Sequence, residues 1–328
     1  MNTLKHSTYI ANLKKVKMFA ENIWSIRIRP LSLPKKKYDV MLKKLSFFAA
    51  LALIAAGCNN KEERAQVMAP VNVRVSNFTT SIEDIADTKD GTAVGSYNGV
   101  KALTLAFYDS NSTEVYKSTQ TKGSVGFGEF SLSLPLGSYT MVVLGYGFYE
   151  DDVFSLTSPT LASFTTDCRE TFASTSTVSV TGPSALELTA TLDRIVAKLM
   201  VVSTDGRPEG VARIRMGFSG GSKTFNPSTG LATSNTTFSN SVGVSSAVGA
   251  TTSSVCYLFL ASDEQSLNVT IDVLDSDGNV LNQKTVSGVS FQRNRCTRLT
   301  GSVYTVSTAA DSFLLNKDWL EGDLEQSF

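Results

Sequence analysis

The chain has 328 residues, with 30 Lys and Arg against 30 Asp and Glu, and only 18% of its residues are charged, against roughly 25% in an average globular protein. Zero net charge gives the surface as a whole nothing that draws a polyanion, so no nucleic-acid partner is expected. The single histidine, His6, leaves everything downstream of it without a Ser-His-Asp triad, a Cys-His pair or a His-ligated metal site.

Residues 1–44 hold many of the cations, including Lys14, Lys15, Lys17, Arg27, Arg29 and the run Lys35-Lys36-Lys37. Residues 1–40 have no signal character and read as an upstream extension, with Met41 the expected start of translation; an unusually long n-region is the alternative. From Met41 the chain reads as an export signal. Lys43 and Lys44 form its positive end, and Leu45 to Ala56 form an apolar stretch too short to span a bilayer. It closes on Ala55-Ala56-Gly57-Cys58, which resembles the lipobox of bacterial lipoproteins, with Ala55 where that pattern has Leu, Val or Ile. The expectation is a signal peptide over 41–57 and a covalent lipid on Cys58, with no other cofactor. Several acyl chains, at about 0.8 kcal/mol per buried methylene, anchor a protein stably where one does not. The competing reading is an ordinary signal peptide with Cys58 a bystander thiol. Residues 58–69 then form a polar tether.

Beyond the tether, strand signals recur with turn signals between them. Met68 to Phe78 alternates through Val71, Val73 and Val75. Val100 to Tyr108 ends at the turn Asp109-Ser110-Asn111-Ser112, and Val115 to Ser118 returns. Phe127 to Leu134 alternates again, and Thr140 to Leu144 is an apolar run of strand length. Residues 150–185, rich in Ser, Thr and Pro, offer two short strands, Glu170 to Ala173 and Ser176 to Val180. A change of unit is expected at Leu192. Ile195 to Ser203, Val211 to Phe218, Ser254 to Leu260, Leu267 to Leu274, Val280 to Val286 and Thr300 to Val306 read as strands of the second half. Residues 219–253, nearly all Gly, Ser, Thr, Asn and Ala, read as long surface loops with a weak hairpin. Leu103 to Ser110 resembles Val269 to Ser276, a hint of internal duplication. The expected architecture is all-β, with two tandem sandwich domains over 70–191 and 192–328.

Few residues suggest chemistry. Asp275-Ser276-Asp277-Gly278-Asn279 begins like a calcium loop, but Val286 stands where an EF-hand needs Glu, so a polar hairpin turn is the better reading and no metal site is expected. Glu150-Asp151-Asp152 groups three acids that no motif positions for glycoside hydrolysis. Arg293-Asn294-Arg295 with Arg298 reads as a charged strand edge, or as a contact for acidic glycans or another subunit. Tyr146, Phe148 and Tyr149 read as a strand end feeding the core, or as a sugar platform. Cys168, Cys256 and Cys296 allow at most one disulfide and read as buried thiols. No enzyme is expected.

Several segments in order resemble the fimbrial subunits of Bacteroides and its relatives, the fimbrillin-like lipoproteins of type V pili. They are the lipoprotein signal, the strand Val71 to Phe78 with Thr88-Lys89 after it, and Pro135-Leu136-Gly137-Ser138-Tyr139 before an apolar strand. Leu192 to Leu199, Arg293 to Gly301 and Asp318-Trp319 complete the set. The resemblance implies two transthyretin-like (Greek-key) β-sandwiches and a lipoprotein of the outer membrane, exposed at the cell surface in a fimbria, as a stalk, tip or anchor subunit supporting adhesion. It implies that a protease removes a first strand and that a strand of the next subunit fills the groove by β-strand addition. On this chain the removable strand would carry Val71, Val73 and Val75, and the processing site would be Lys89. The donor strand would carry Phe313, Leu315, Trp319 and Leu320, whose other reading is the last strand of the chain's own sheet. The implied partners are other fimbrial subunits, the outer membrane, and a ligand on a host or bacterial surface. The alternative is an outer-membrane lipoprotein that binds glycans as a monomer.

Overall fold

The computed structural model describes residues 66–79, 92–93, 95–148, 153–305 and 324–325, with the backbone alone at 79, 92, 93, 324 and 325. Cys58, Lys89, Phe313, Leu315, Trp319 and Leu320 lie outside the described residues, as do Tyr149 and Glu150-Asp151-Asp152.

Nineteen strands and no helix occur among the described residues. In chain order they are β1 (Met68–Thr79), β2 (Thr92–Ala93), β3 (Ala102–Tyr108), β4 (Glu114–Thr121), β5 (Glu129–Pro135) and β6 (Gly137–Tyr146). Then follow β7 (Phe154–Ser158), β8 (Leu161–Phe164), β9 (Thr171–Val180), β10 (Leu186–Arg194), β11 (Ala197–Ser203), β12 (Arg213–Phe218) and β13 (Thr224–Phe225). The last are β14 (Phe238–Gly243), β15 (Ser253–Leu258), β16 (Glu264–Leu274), β17 (Val280–Gln292), β18 (Cys296–Gly301) and β19 (Leu324–Glu325).

Two sets of seven strands share one pairing scheme. In the first, β1 lies between β5 and β10, and β4, β3, β6 and β9 follow one another in a second layer. In the second, β11 lies between β15 and β18, and β14, β12, β16 and β17 form the other layer. In both, the first strand runs parallel to the last and antiparallel to a middle one. Each pair of layers encloses its own core. The first holds Val71, Val73, Leu105, Phe107, Val143 and Phe172, and the second holds Leu199, Met216, Leu258, Ile271, Phe291 and Leu299. The duplication is therefore present in the topology, but it matches β3 to β12. The sequence likeness of Leu103–Ser110 to Val269–Ser276 aligned β3 with β16, because any amphipathic hairpin resembles another. In the first set β9 and β10 also meet through Ala173 and Phe172, which joins the two layers into one eight-stranded sheet.

A third core joins the sets. The outer faces of β3 and β6 (Ala102, Ala106, Val142, Leu144) pack with Leu156 and Phe164 of β7 and β8, and with Ile195, Phe225 and Phe259. Here β13, from the second half of the chain, hydrogen-bonds β8 from the first, and the Phe225 and Phe259 rings stack at 4.0 Å. This explains the apolar runs of β3 and β6. All seven residues of β3 are buried because both of its faces are covered, as in a central strand between two layers.

Four expectations need correction. The stretch 219–253 is not all surface loop: Phe225 and Asn240 are buried, since Phe225 completes the joining core and Asn240 bonds backbone on both sides of it. The two short strands at 170–180 are one, because β9 pairs with β6 along its whole length. The last clear strand runs Cys296–Gly301, not Thr300 to Val306. Asp205 pulls 302–305 out of the sheet by accepting bonds from the backbone N–H of Val303, Tyr304 and Thr305 and the hydroxyls of Ser302 and Thr305. Finally, Leu192–Arg194 belong to β10, so the first set ends at Arg194.

Candidate functional site: the seat of the first strand

β1 begins at Met68 and alternates by the strand rule: Ala69, Val71, Val73 and Val75 point into the first core, while Pro70 and Arg74 stay exposed. The register steps between Val75 and Asn77, so the next inward side chain is Phe78. Burying Val71, Val73, Val75 and Phe78 contributes on the order of 6–12 kcal/mol, an upper bound because the unfolded chain already hides some surface. On one side Met68–Arg74 pairs with Pro135–Glu129 of β5; on the other Val71–Thr79 pairs with Leu186–Asp193 of β10. β1 is therefore an interior strand with a ladder on each side. Withdrawing it would expose two strand edges and a row of pockets spaced two, two, two and three residues apart. The residues that follow it, 80–91, include Lys89.

β10, the parallel partner, was missed in the sequence. Its signal is Leu186, Leu188, Ala190 and Leu192 at period two, which a boundary placed at Leu192 hid.

Beyond β1's far end lies a buried polar knot. Arg194 meets Glu170 at 2.8 Å with both side chains about 10% exposed. The Tyr97 hydroxyl donates to Glu170 Oε1 at 2.6 Å and accepts from Arg194 Nη2 at 2.9 Å. The guanidinium lies 5.1 Å over the Phe172 ring and reaches Asn294 Oδ1 at 3.3 Å. Burial and then Glu170 push the Tyr97 pKa up. Burial pulls that of Arg194 down, but Glu170 and Tyr97 outweigh it and the net shift is upward. A Cβ on Gly99 would stand 2.1 Å from Glu170 Oε2, so a larger residue there would displace that carboxylate. Next to this knot a cleft of about 520 Å³ opens between first-half residues such as Lys101, Phe148 and Arg169 and second-half residues such as Arg213, Ser241 and Tyr257.

The remaining candidates settle into structural roles. Tyr146 is buried with its ring 4.1 Å from Phe154, so it feeds the core, whereas Phe148 is 37% exposed at the cleft. Arg293 pairs with Asp263 and donates to the Thr229 carbonyl, and Asn294 takes φ +58° at the β17–β18 turn. Asp275 accepts the N–H groups of Asp277 and Asn279 within its own hairpin turn. Cys168, Cys256 and Cys296 are buried and none of them forms a disulfide. Burial pushes the Cys168 thiol up to about 12 and raises Cys256, which keeps both unreactive. The backbone of β19 pairs in parallel with Thr297 and Arg298 of β18, so at least residues 324–325 lie on the chain's own sheet.

Fold and site together define an all-β protein of two topologically repeated sandwiches whose first strand fills an interior seat. The chain belongs to a family of unknown function, DUF6562, whose pattern matches residues 148–320, more than half of the sequence. No curated protein is similar to it in sequence. Three of the solved structures similar to it follow. One is a candidate adhesin from Bacteroides ovatus (10% identity, TM-score 0.47, covering 80% of this chain and 95% of that one). Another is the fimbrial anchor protein Mfa2 from Porphyromonas gingivalis (16%, 0.45, 80% and 100%). The third is a candidate polysaccharide-binding protein from Bacteroides thetaiotaomicron (10%, 0.43, 76% and 96%).

Proposed function

We propose that this chain is a structural subunit of a cell-surface fimbria, exported as an outer-membrane lipoprotein through Cys58 and supporting adhesion. Its partners are other subunits, joined by exchange of the first strand. The observation that carries this reading is the seat of β1, an N-terminal strand held between β5 and β10 with Val71, Val73 and Val75 in the core. Its connection onward contains a basic residue, Lys89, for a processing protease. A donor strand would supply backbone ladders on both sides and apolar side chains to the pockets. The apolar residues Phe313, Leu315, Trp319 and Leu320 of the C-terminal segment suit that role.

A second reading, glycan binding by a monomer, is favoured by the cleft. It lies at the junction of the two sandwiches, where ligand sites are common, and carries an exposed aromatic ring and the cations Lys101 and Arg213.

Sequencing the N-terminus of the native chain, in the outer-membrane fraction and in sheared filaments, tests the first reading. A start just after Lys89 in filaments identifies a stalk subunit. A start at acylated Cys58, recovered with filament bases, identifies an anchor. A chain absent from filaments, unlipidated or retained only on polysaccharide, overturns it.

A further inference from the structure

The end of the first sandwich where β1 begins is made of three segments far apart in sequence. Register brings them together: Met68 faces Pro135, Gly137 faces Val180, and Val71 faces Leu186. Not one of residues 66–70, 134–138 and 180–186 is charged. Val67, Met68 and Leu136 are large apolar residues 50%, 46% and 41% exposed, and they are adjacent, the Leu136 N–H donating to the Val67 carbonyl at 3.3 Å. Charges border these segments: Glu187 follows Leu186 and accepts from Asn72 Nδ2, Lys61-Glu62-Glu63-Arg64 precede them in the sequence, and Asp109 in the β3–β4 turn accepts the N–H groups of Asn111 and Thr113. Glu114 is paired with Lys117.

We infer that this uncharged end rests on the lipid surface to which the chain is anchored. The inference builds on lipidation at Cys58 and commits to the form that keeps its first strand. Cys58 and Val67 are nine residues apart, at most roughly 30 Å of extended chain. The twelve residues of β1 carry the backbone roughly 40 Å away from that point. A tether shorter than the strand holds the end at Val67 nearest the bilayer. Apolar side chains there enter the headgroup boundary, and the lack of charge removes the desolvation cost of that contact.

The test uses the full chain in phosphatidylcholine vesicles, with one reporter cysteine at Leu136→Cys or at Val125→Cys. Val125 is fully exposed in the β4–β5 loop at the opposite end of β5, and Cys168, Cys256 and Cys296 are buried from the label. With an environment-sensitive fluorophore attached, nitroxide-labelled lipid is expected to quench the Leu136 probe at least threefold more than the Val125 probe. Equal quenching on protein that floats with the vesicles overturns this inference and leaves lipidation standing. Protein that fails to float overturns both. A Leu136 signal that changes with protein concentration in the absence of vesicles gives the surface to a second copy instead and also overturns it.

Discussion

β1 and β11 occupy the same place in two copies of one topology, yet they are held differently. Both are interior strands, parallel to the last strand of their set and buried along one face. β11 is fixed at both ends. Ile195 and Val196 before it are buried in the joining core, and Asp205 just after it clasps residues 302–305. β1 is preceded by the expected tether and followed by a connection that contains Lys89. On the proposed reading, the same seat serves as a permanent core strand in one sandwich and as a separable one in the other. Among the described residues, β1 is held at its ends by the Leu136 N–H on the Val67 carbonyl and by the short β2, and β11 by the joining core and the Asp205 clasp, while the apolar content of the two strands is similar.

The sharpest way to break this comparison is a charge in each strand. Val73→Asp and Val201→Asp each place a carboxylate at a site no more than 2% exposed, and each is expected to cost more than about 4 kcal/mol in denaturant unfolding. On the proposed reading that the seat is filled from outside, a synthetic peptide spanning 66–79 should restore the Val73→Asp variant. A 195–205 peptide should not restore Val201→Asp. Equal rescue of both, or of neither, removes the asymmetry.

Arg194→Ala comes next. It leaves Glu170 buried without its cation and is expected to cost about 3–5 kcal/mol, whereas Arg194→Ala combined with Glu170→Ala should recover part of the loss. Additive losses in that double-mutant cycle would show that the knot does not act as a unit.

Asp205→Asn addresses the clasp and is expected to cost about 1–2 kcal/mol through weakened charge-assisted bonds. Burial acts to raise the Asp205 pKa, but the hydrogen bonds from Val303, Thr305 and Ser302 outweigh it and hold it below the ordinary carboxylate range. The clasp's stabilisation is therefore complete above about pH 4, the ordinary Asp value, and is lost as pH falls through the lower folded value. Acid titration of the melting temperature should show a steeper loss below pH 4 in the native chain than in Asp205→Asn. Superimposable profiles would dismiss the clasp. The smallest effect is expected from Val125→Ser in the open β4–β5 loop, within about 0.5 kcal/mol.

Much of the first sandwich was legible in sequence because its strands obey period two, as in Val71-Asn72-Val73-Arg74-Val75. β10 obeys it as well and was overlooked only through a misplaced boundary. Phe225 and Asn240 carry no such signal. They sit in Ser- and Gly-rich stretches and are buried by contacts with residues of the other half, so their local sequence resembles a loop. The knot of Tyr97, Glu170 and Arg194 spans nearly a hundred residues and follows no motif spacing.

By itself the sequence determined the all-β class, the alternating inward face of β1 and the polar nature of the Asp275 turn. Each of these depends on residues within a few positions of one another, where side-chain period and turn chemistry act. Only the tertiary structure decided that β1 lies between β5 and β10, that the two halves repeat one pairing scheme and share a third core, and that three uncharged segments meet at one end. Those facts rest on pairing between strands tens to more than a hundred residues apart, which backbone hydrogen bonds and packing select and which no local pattern encodes.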